Sequence, residues 1–179
     1  LLEGNTRFVA DLLDGKLQDS SRRESLIFGQ EPFAIVLSCA DSRVVPEFIF
    51  DTGLGELFVV RVAGNIANSS TIASIEYAVA NMGSKLIVVM GHEGCRAVSS
   101  AIEGGDNGAH INHLLKHITP AISSCNKDAD VTEVVKKNAK LTAIKLEDKS
   151  EILKEAIDKK QLEIIPAFYN LGSGKVDLL

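Results

Sequence analysis

Three short stretches of the chain carry residues able to do chemistry, and each follows an apolar burst of strand length. After FAIVLS (33–38) comes Cys39-Ala40-Asp41-Ser42-Arg43, after LFVV (57–60) comes Arg61-Val62-Ala63-Gly64-Asn65, and after KLIVVM (85–90) comes Gly91-His92-Glu93-Gly94-Cys95. If the bursts are neighbouring strands, two cysteines and a histidine reach one edge of a sheet from two separate strands. Thiolate and imidazole are the preferred donors for zinc, and three protein donors leave a fourth position open to water or substrate. His92 and Cys95 fall where a strand turns into a helix. A thiolate there gains from the unpaired N–H groups of the first helical turn, which lower its pKa. Glycines at 91 and 94 let the backbone turn tightly around an ion.

Asp41 and Arg43 follow Cys39 at two-residue steps, so in an extended turn all three side chains point one way. A carboxylate beside a metal-bound water accepts its proton or its hydrogen bond, and is equally able to become the fourth ligand. A neighbouring guanidinium grips such a carboxylate with two prongs and biases it away from the metal. Zinc lowers the pKa of its water towards about 7, which gives a hydroxide nucleophile at neutral pH. Two thiolates donate more charge than imidazoles would, so this water is expected to be somewhat less acidic.

The elements that must hold these residues follow from periodicity. The three bursts, with LEIIPAF (162–168), are near-continuous apolar runs, as strands of a parallel sheet covered on both faces require. Helical stretches fall between them. Ser70 is a candidate N-cap for 71–82, ended by Gly83. Ile111, Leu115, Ile118 and Ile122 make a stripe on another helix, and Val131, Val134, Val135 and Leu141 on the next. Ser150 is placed to cap a last helix burying Ile152, Leu153, Ala156 and Ile157. Residues 1–30 read as an amphipathic helical arm, with Leu1, Leu2, Phe8, Val9, Leu12 and Leu13 at helical spacing. The fold class is therefore α/β: a mixed, mainly parallel sheet flanked by helices, with an N-terminal helical arm (1–30) before an α/β core (31–179) in a single domain. Such sheets bind ligands beyond the carboxyl ends of their strands, where the cysteines and histidine lie.

Composition agrees with a soluble globular domain. The chain has 179 residues, 45% of them hydrophobic and 24% charged, and 19 basic against 24 acidic side chains give −5. That balance lacks the basic footprint of a nucleic-acid binder, and no apolar run is long enough to span a bilayer. Three cysteines are too few for a disulfide scaffold, which with no leader segment in view points to the cytoplasm.

CADSRVVP (39–46) followed by EYAVANMGSKLIVVMGHEGC (76–95) resembles the paired motifs of the β-class carbonic anhydrases. LLEGNTRFV, DTGLGELFVVRVAGN and FYNLGSGKVDLL are similar to that family as well, so the resemblance runs through nearly the whole chain. It implies reversible hydration of carbon dioxide to bicarbonate, one zinc per chain held by Cys39, His92 and Cys95, and Asp41 with Arg43 as the catalytic dyad. It also implies a homodimer or tetramer, with the N-terminal helices packing onto the partner. Arg96 stands where the family usually has glycine, a cation that would attract bicarbonate, shift the water's pKa or narrow the entrance. Pro166 interrupts the last strand and belongs at an edge or bulge.

Two rival readings use the same residues. Hydrolysis of carbonyl sulfide or carbon disulfide is the same attack on a linear triatomic, and a non-catalytic zinc protein would need only the ligands. Elsewhere, Cys125 reads as a free thiol without a role. His110, His113 and His117 read as a solvated helix face, and Gly172-Ser173-Gly174-Lys175 as a hairpin turn.

Overall fold

The computed structural model describes all 179 residues. Strands β1 (Ala34–Ser38), β2 (Leu57–Arg61), β3 (Leu86–His92), β4 (Glu163–Tyr169) and β5 (Val176–Leu178) form one sheet in the order β2-β1-β3-β4-β5. The first four are parallel, and β5 folds back antiparallel on β4 through a turn that overlaps the hairpin expected at Gly172-Ser173-Gly174-Lys175. The mixed, mainly parallel sheet read from the apolar bursts is thus present. Ser38 pairs with both Arg61 and Met90, so β1, β2 and β3 end nearly level. That register brings the residues following each strand to one edge.

The arm departs from expectation. In place of one helix over 1–30 there are α1 (Leu2–Val9) and α2 (Ser20–Ser25), separated by an irregular stretch. Asp11, Gly15 and Leu17 there have positive φ of 55°, 58° and 59°, a conformation through which a right-handed helix does not continue. The Asp19 carboxylate then accepts from the Arg22 amide and starts α2. α3 (Pro46–Ile49) lies between β1 and β2, and α4 (Ser69–Met82) follows β2. The cap of α4 is Asn68, not Ser70: Asn68 and Thr71 exchange side-chain to backbone hydrogen bonds as a capping box. Gly83 ends α4 in the left-handed conformation, as expected.

Helix α5 (Arg96–Glu103) follows β3, and the stripe Ile111/Leu115/Ile118/Ile122 is divided between α6 (Ala109–Leu115) and α7 (Thr119–Ser123). Pro120 sits in the first turn of α7, the one place in a helix where its missing N–H is not needed. Helix α8 (Val131–Lys149) buries Val134 and Val135, and α9 (Glu151–Asp158) starts at Ser150, whose hydroxyl accepts from the Leu153 amide. Leu153 is buried as expected and Ala156 and Ile157 pack partly, whereas Ile152 is 44% exposed.

Ile35, Leu37, Ile87 and Val89 pack on one sheet face against α4, α8 and α9. Each of these fully buried side chains contributes roughly 1.5–3 kcal/mol by leaving water. Val36, Val88, Met90 and Ala167 point the other way, where Ile49 and Phe50 cover them in part. Pro166 lies opposite Val89, and its carbonyl accepts from the Leu179 amide beyond the end of β5. Its donor-less nitrogen therefore faces the sheet's short outer strand, where a missing N–H costs least. No helix is long and apolar enough to cross a membrane.

Candidate metal centre

Cys39 is the first residue past β1, His92 the last of β3, and Cys95 the residue from which α5 starts. Their ligand atoms all lie within 4.8 Å of one another, and all three side chains are buried. The sheet register and the strand-to-helix turn therefore bring together the donors read from the sequence. Gly94 takes the positive φ, 61°, that the turn between His92 and Cys95 needs. Gly91 serves differently from the turn expected of it. A Cβ there would lie 2.7 Å from Val135 Cγ1, so this glycine lets α8 pack close against β3.

His92 Nδ1 lies 2.9 Å from the Glu93 carbonyl and donates to it, which fixes the tautomer and leaves Nε2 as the free donor atom. Glu93 is itself tied down, its amide donating to the Tyr169 carbonyl and its carboxylate accepting from Gly172. His92 Nε2 is fully buried with no hydrogen-bond partner. An orphaned buried ring nitrogen beside two buried sulfurs is expensive unless something coordinates it. The donor set, one imidazole and two thiols, fits zinc.

The two thiols shift each other in opposite directions. Cys39 is pushed down to about 4, first by the neighbouring Cys95 and then, against its burial, by the Gly64 amide that donates to its sulfur. Cys95 is pushed up, first by Cys39 and next by burial, with the Val98 and Ala97 amides pulling the other way.

Asp41 and Arg43 form the two-pronged pair expected of them. Arg43 Nε reaches Asp41 Oδ1 at 2.9 Å and Nη2 reaches Oδ2 at 2.8 Å, while the Arg43 amide adds a third bond to Oδ1 at 3.0 Å. Arg43 holds the Asp41 carboxyl well below the usual carboxylate range. Asp41 Oδ2 lies 3.9 Å from His92 Nε2, beside the donor cluster.

Three supporting residues had no role in the sequence reading. The Arg61 guanidinium donates to the Cys39 carbonyl at 3.1 Å and to the Asp41 carbonyl at 2.6 Å, fixing the loop that carries both. The Gly64 amide donates to Cys39 Sγ at 3.3 Å. Asn138 Nδ2 on α8 donates to the Gly64 carbonyl at 2.8 Å. Gly64 has φ 71°, and a Cβ there would meet Ile118 at 2.8 Å, so only glycine suits the position. A charge closing the apolar run of β2 was the one sequence signal, and it pointed to Arg61.

The family model for carbonic anhydrase matches residues 34–176. Carbonic anhydrase 2 of Mycobacterium tuberculosis is 37% identical over 184 residues, which covers 99% of this chain and 89% of that one. The carbonic anhydrase of Pseudomonas aeruginosa is 30% identical over 196 residues, covering 100% of this chain and 86% of its own length. A solved structure of the tetrameric β-carbonic anhydrases of the ascomycete Sordaria macrospora matches with a TM-score of 0.80 at 25% identity, covering 99% of this chain and 94% of the other. The chain belongs to the β-class carbonic anhydrases.

Arg96, singled out in the sequence, has a side chain that runs outward. Its guanidinium lies 3.3 Å from Glu103, two turns further along α5, and is 76% exposed. Seven residues of helix advance roughly 10 Å, so the cation is carried away from Cys95. Cys125 is a free, half-buried thiol packed at the edge of the cluster around Leu115 and Ile118. His110 and His113 are exposed, in line with a solvated face, whereas His117 is half-buried and bonded to Lys145.

Proposed function

We propose that this carbonic anhydrase catalyses the reversible hydration of carbon dioxide to bicarbonate and a proton, with zinc held by Cys39, His92 and Cys95. The observation that carries the reading is the convergence of those three buried donors beside a fixed Asp41–Arg43 pair. When bound, zinc supplies a water acidic enough to ionise near neutral pH. The chain's own residues supply orientation. The Asp41 carboxylate, kept ionised by Arg43, only accepts hydrogen bonds. It therefore fixes the direction of a donor O–H at the open side of the cluster, leaving an oxygen lone pair free for carbon. Arg43, with both prongs engaged, keeps that carboxylate from turning to the metal position. Arg61 holds the Cys39–Asp41 backbone, so ligand and acceptor keep one spacing. The product proton passes to buffer.

We further propose a homo-oligomer of two or four copies. A groove of about 500 Å³ on the incompletely covered sheet face is lined by nine hydrophobic residues of ten, including Leu2, Phe33, Val88, Ile165 and Leu178. Both faces of a parallel sheet are normally covered, and an apolar surface of this kind suits a second copy. The test is stopped-flow carbon dioxide hydration on zinc-quantified protein from about pH 6.5 to 9, with light scattering for mass. Turnover that rises with pH supports the reading. One zinc per chain with no turnover at any pH would overturn it.

A further inference from the structure

A second concave site lies away from the metal donors, between the C-terminal half of α8, the turn joining α6 to α7 and the chain before α4. Its volume is about 310 Å³, and its titratable lining is Lys116, His117, Lys145, Lys149 and Asp148. Three lysines thus face one aspartate in a chain whose net charge is −5. None of the three is ion-paired, since no carboxylate lies within 4.0 Å of any of them. We propose that this cavity binds a small polyanion, a ligand carrying two or more oxyanionic charges of the phosphate or polycarboxylate class.

The hydrogen-bond inventory supports that class. Lys145 Nζ lies 3.0 Å from His117 Nδ1. An ammonium only donates, so His117 accepts at Nδ1 and carries its hydrogen on Nε2. Lys145 keeps two N–H donors, and the imidazole keeps one. Apart from Asp148, this lining therefore offers donors, and the three lysines offer positive charge. Burial lowers the pKa of both His117 and Lys145, with Lys145 acting on His117 and Lys149 on Lys145. Lys145 and Lys149 are four residues apart on α8, a like-charge pair that costs stability on an empty helix. An oxyanion between them reverses the sign of that term, and charge-assisted bonds to it are the strong kind. Asn138, the residue that supports Gly64 behind Cys39, also lines the cavity.

Calorimetric titration of the zinc-loaded enzyme with inorganic phosphate tests the site, with citrate as the polycarboxylate arm. One phosphate or citrate per chain is expected, weakened by added sodium chloride. Lys145→Gln, and separately the double change Lys116→Gln with Lys149→Gln, should weaken binding about tenfold or more. Asp148→Asn should tighten it several-fold, which a merely misfolded variant would not do. Unchanged zinc content in every variant guards against lost fold. Binding of neither anion up to about 10 mM, or binding equal in all variants, would overturn the proposal, the second result assigning the anion to the metal or to the general surface.

Discussion

Asn138, in the middle of α8, donates a 2.8 Å hydrogen bond to the carbonyl of Gly64, 74 residues earlier in the chain. Gly64 in turn donates its amide to Cys39 Sγ. The sulfur expected to hold zinc is therefore supported through one backbone unit by a buried side chain from the far layer of the fold. Outer-shell partners of this kind usually carry 10–100-fold in metal affinity. Asn138→Leu keeps the volume and removes the donor, leaving the Gly64 carbonyl unpaired. Zinc affinity is expected to fall about 10–100-fold, measured by competition with a chromophoric chelator. Unchanged affinity would mean that Gly64 is held by its own turn.

On the proposed mechanism, Asp41 and Arg43 serve catalysis and not metal binding, and the two are separable by mutation. Asp41→Asn keeps the shape but replaces an acceptor-only carboxylate with an amide that also donates. The expected result is full zinc content with turnover lower by about 10²-fold or more, the range in which a positioned proton acceptor contributes. Arg43→Ala frees the carboxylate, an available fourth ligand, and activity should fall most at the acid end of the pH profile. Equal loss at all pH values would argue that Arg43 acts only by packing.

The thiols respond to metal removal in a defined order. Without zinc, Cys39 is shifted towards the thiolate and Cys95 away from it. Iodoacetamide on the loaded enzyme is expected to label Cys125, the one cysteine that is not buried. After chelation a second label should appear on Cys39 ahead of Cys95, since the thiolate is the nucleophile. Peptide mass spectrometry reads the order, and labelling of Cys95 first would contradict the opposite shifts of the two thiols.

The donors were legible in the sequence because each sits at or just beyond the end of a strand whose apolar run is unmistakable. Residue type and strand end together anticipated that Cys39, His92 and Cys95 cluster, and two-residue spacing anticipated the Asp41–Arg43 pair. Asn138, Arg61 and Gly64 were not legible in role, because their contacts join distant segments and leave no local period. Helix ends were misplaced where chemistry competes within a few residues. Asn68 outcompetes Ser70 as a cap, and Pro120 starts a new helix within an apolar stripe that read as continuous. The arm failed for another reason. Its apolar spacing is helical, but ion pairing and left-handed turns shape residues 10–19.

That arm is clipped to the core by Asp51, at the end of α3. Its carboxylate accepts from Arg7 Nε at 2.5 Å and from the amides of Asp14 and Gly15 at 3.0 and 3.4 Å. Burial works against the charge on Asp51, yet the Arg7 hydrogen bond and the two amides outweigh it and hold the carboxyl below its usual range. A carboxylate with a lowered folded pKa stabilises the fold fully above its unfolded value, about 3.9, and loses that contribution as pH falls through the folded value. Asp51→Asn removes the charge and so removes the dependence. At pH 7 the variant is expected to unfold at lower urea concentration than the parent, and to release residues 1–15 to protease sooner. As pH falls below about 4 the gap between the two urea midpoints should narrow. A gap that stays constant down to pH 3 would show that Asn at this position disturbs the turn itself, with the Arg7 pairing contributing nothing.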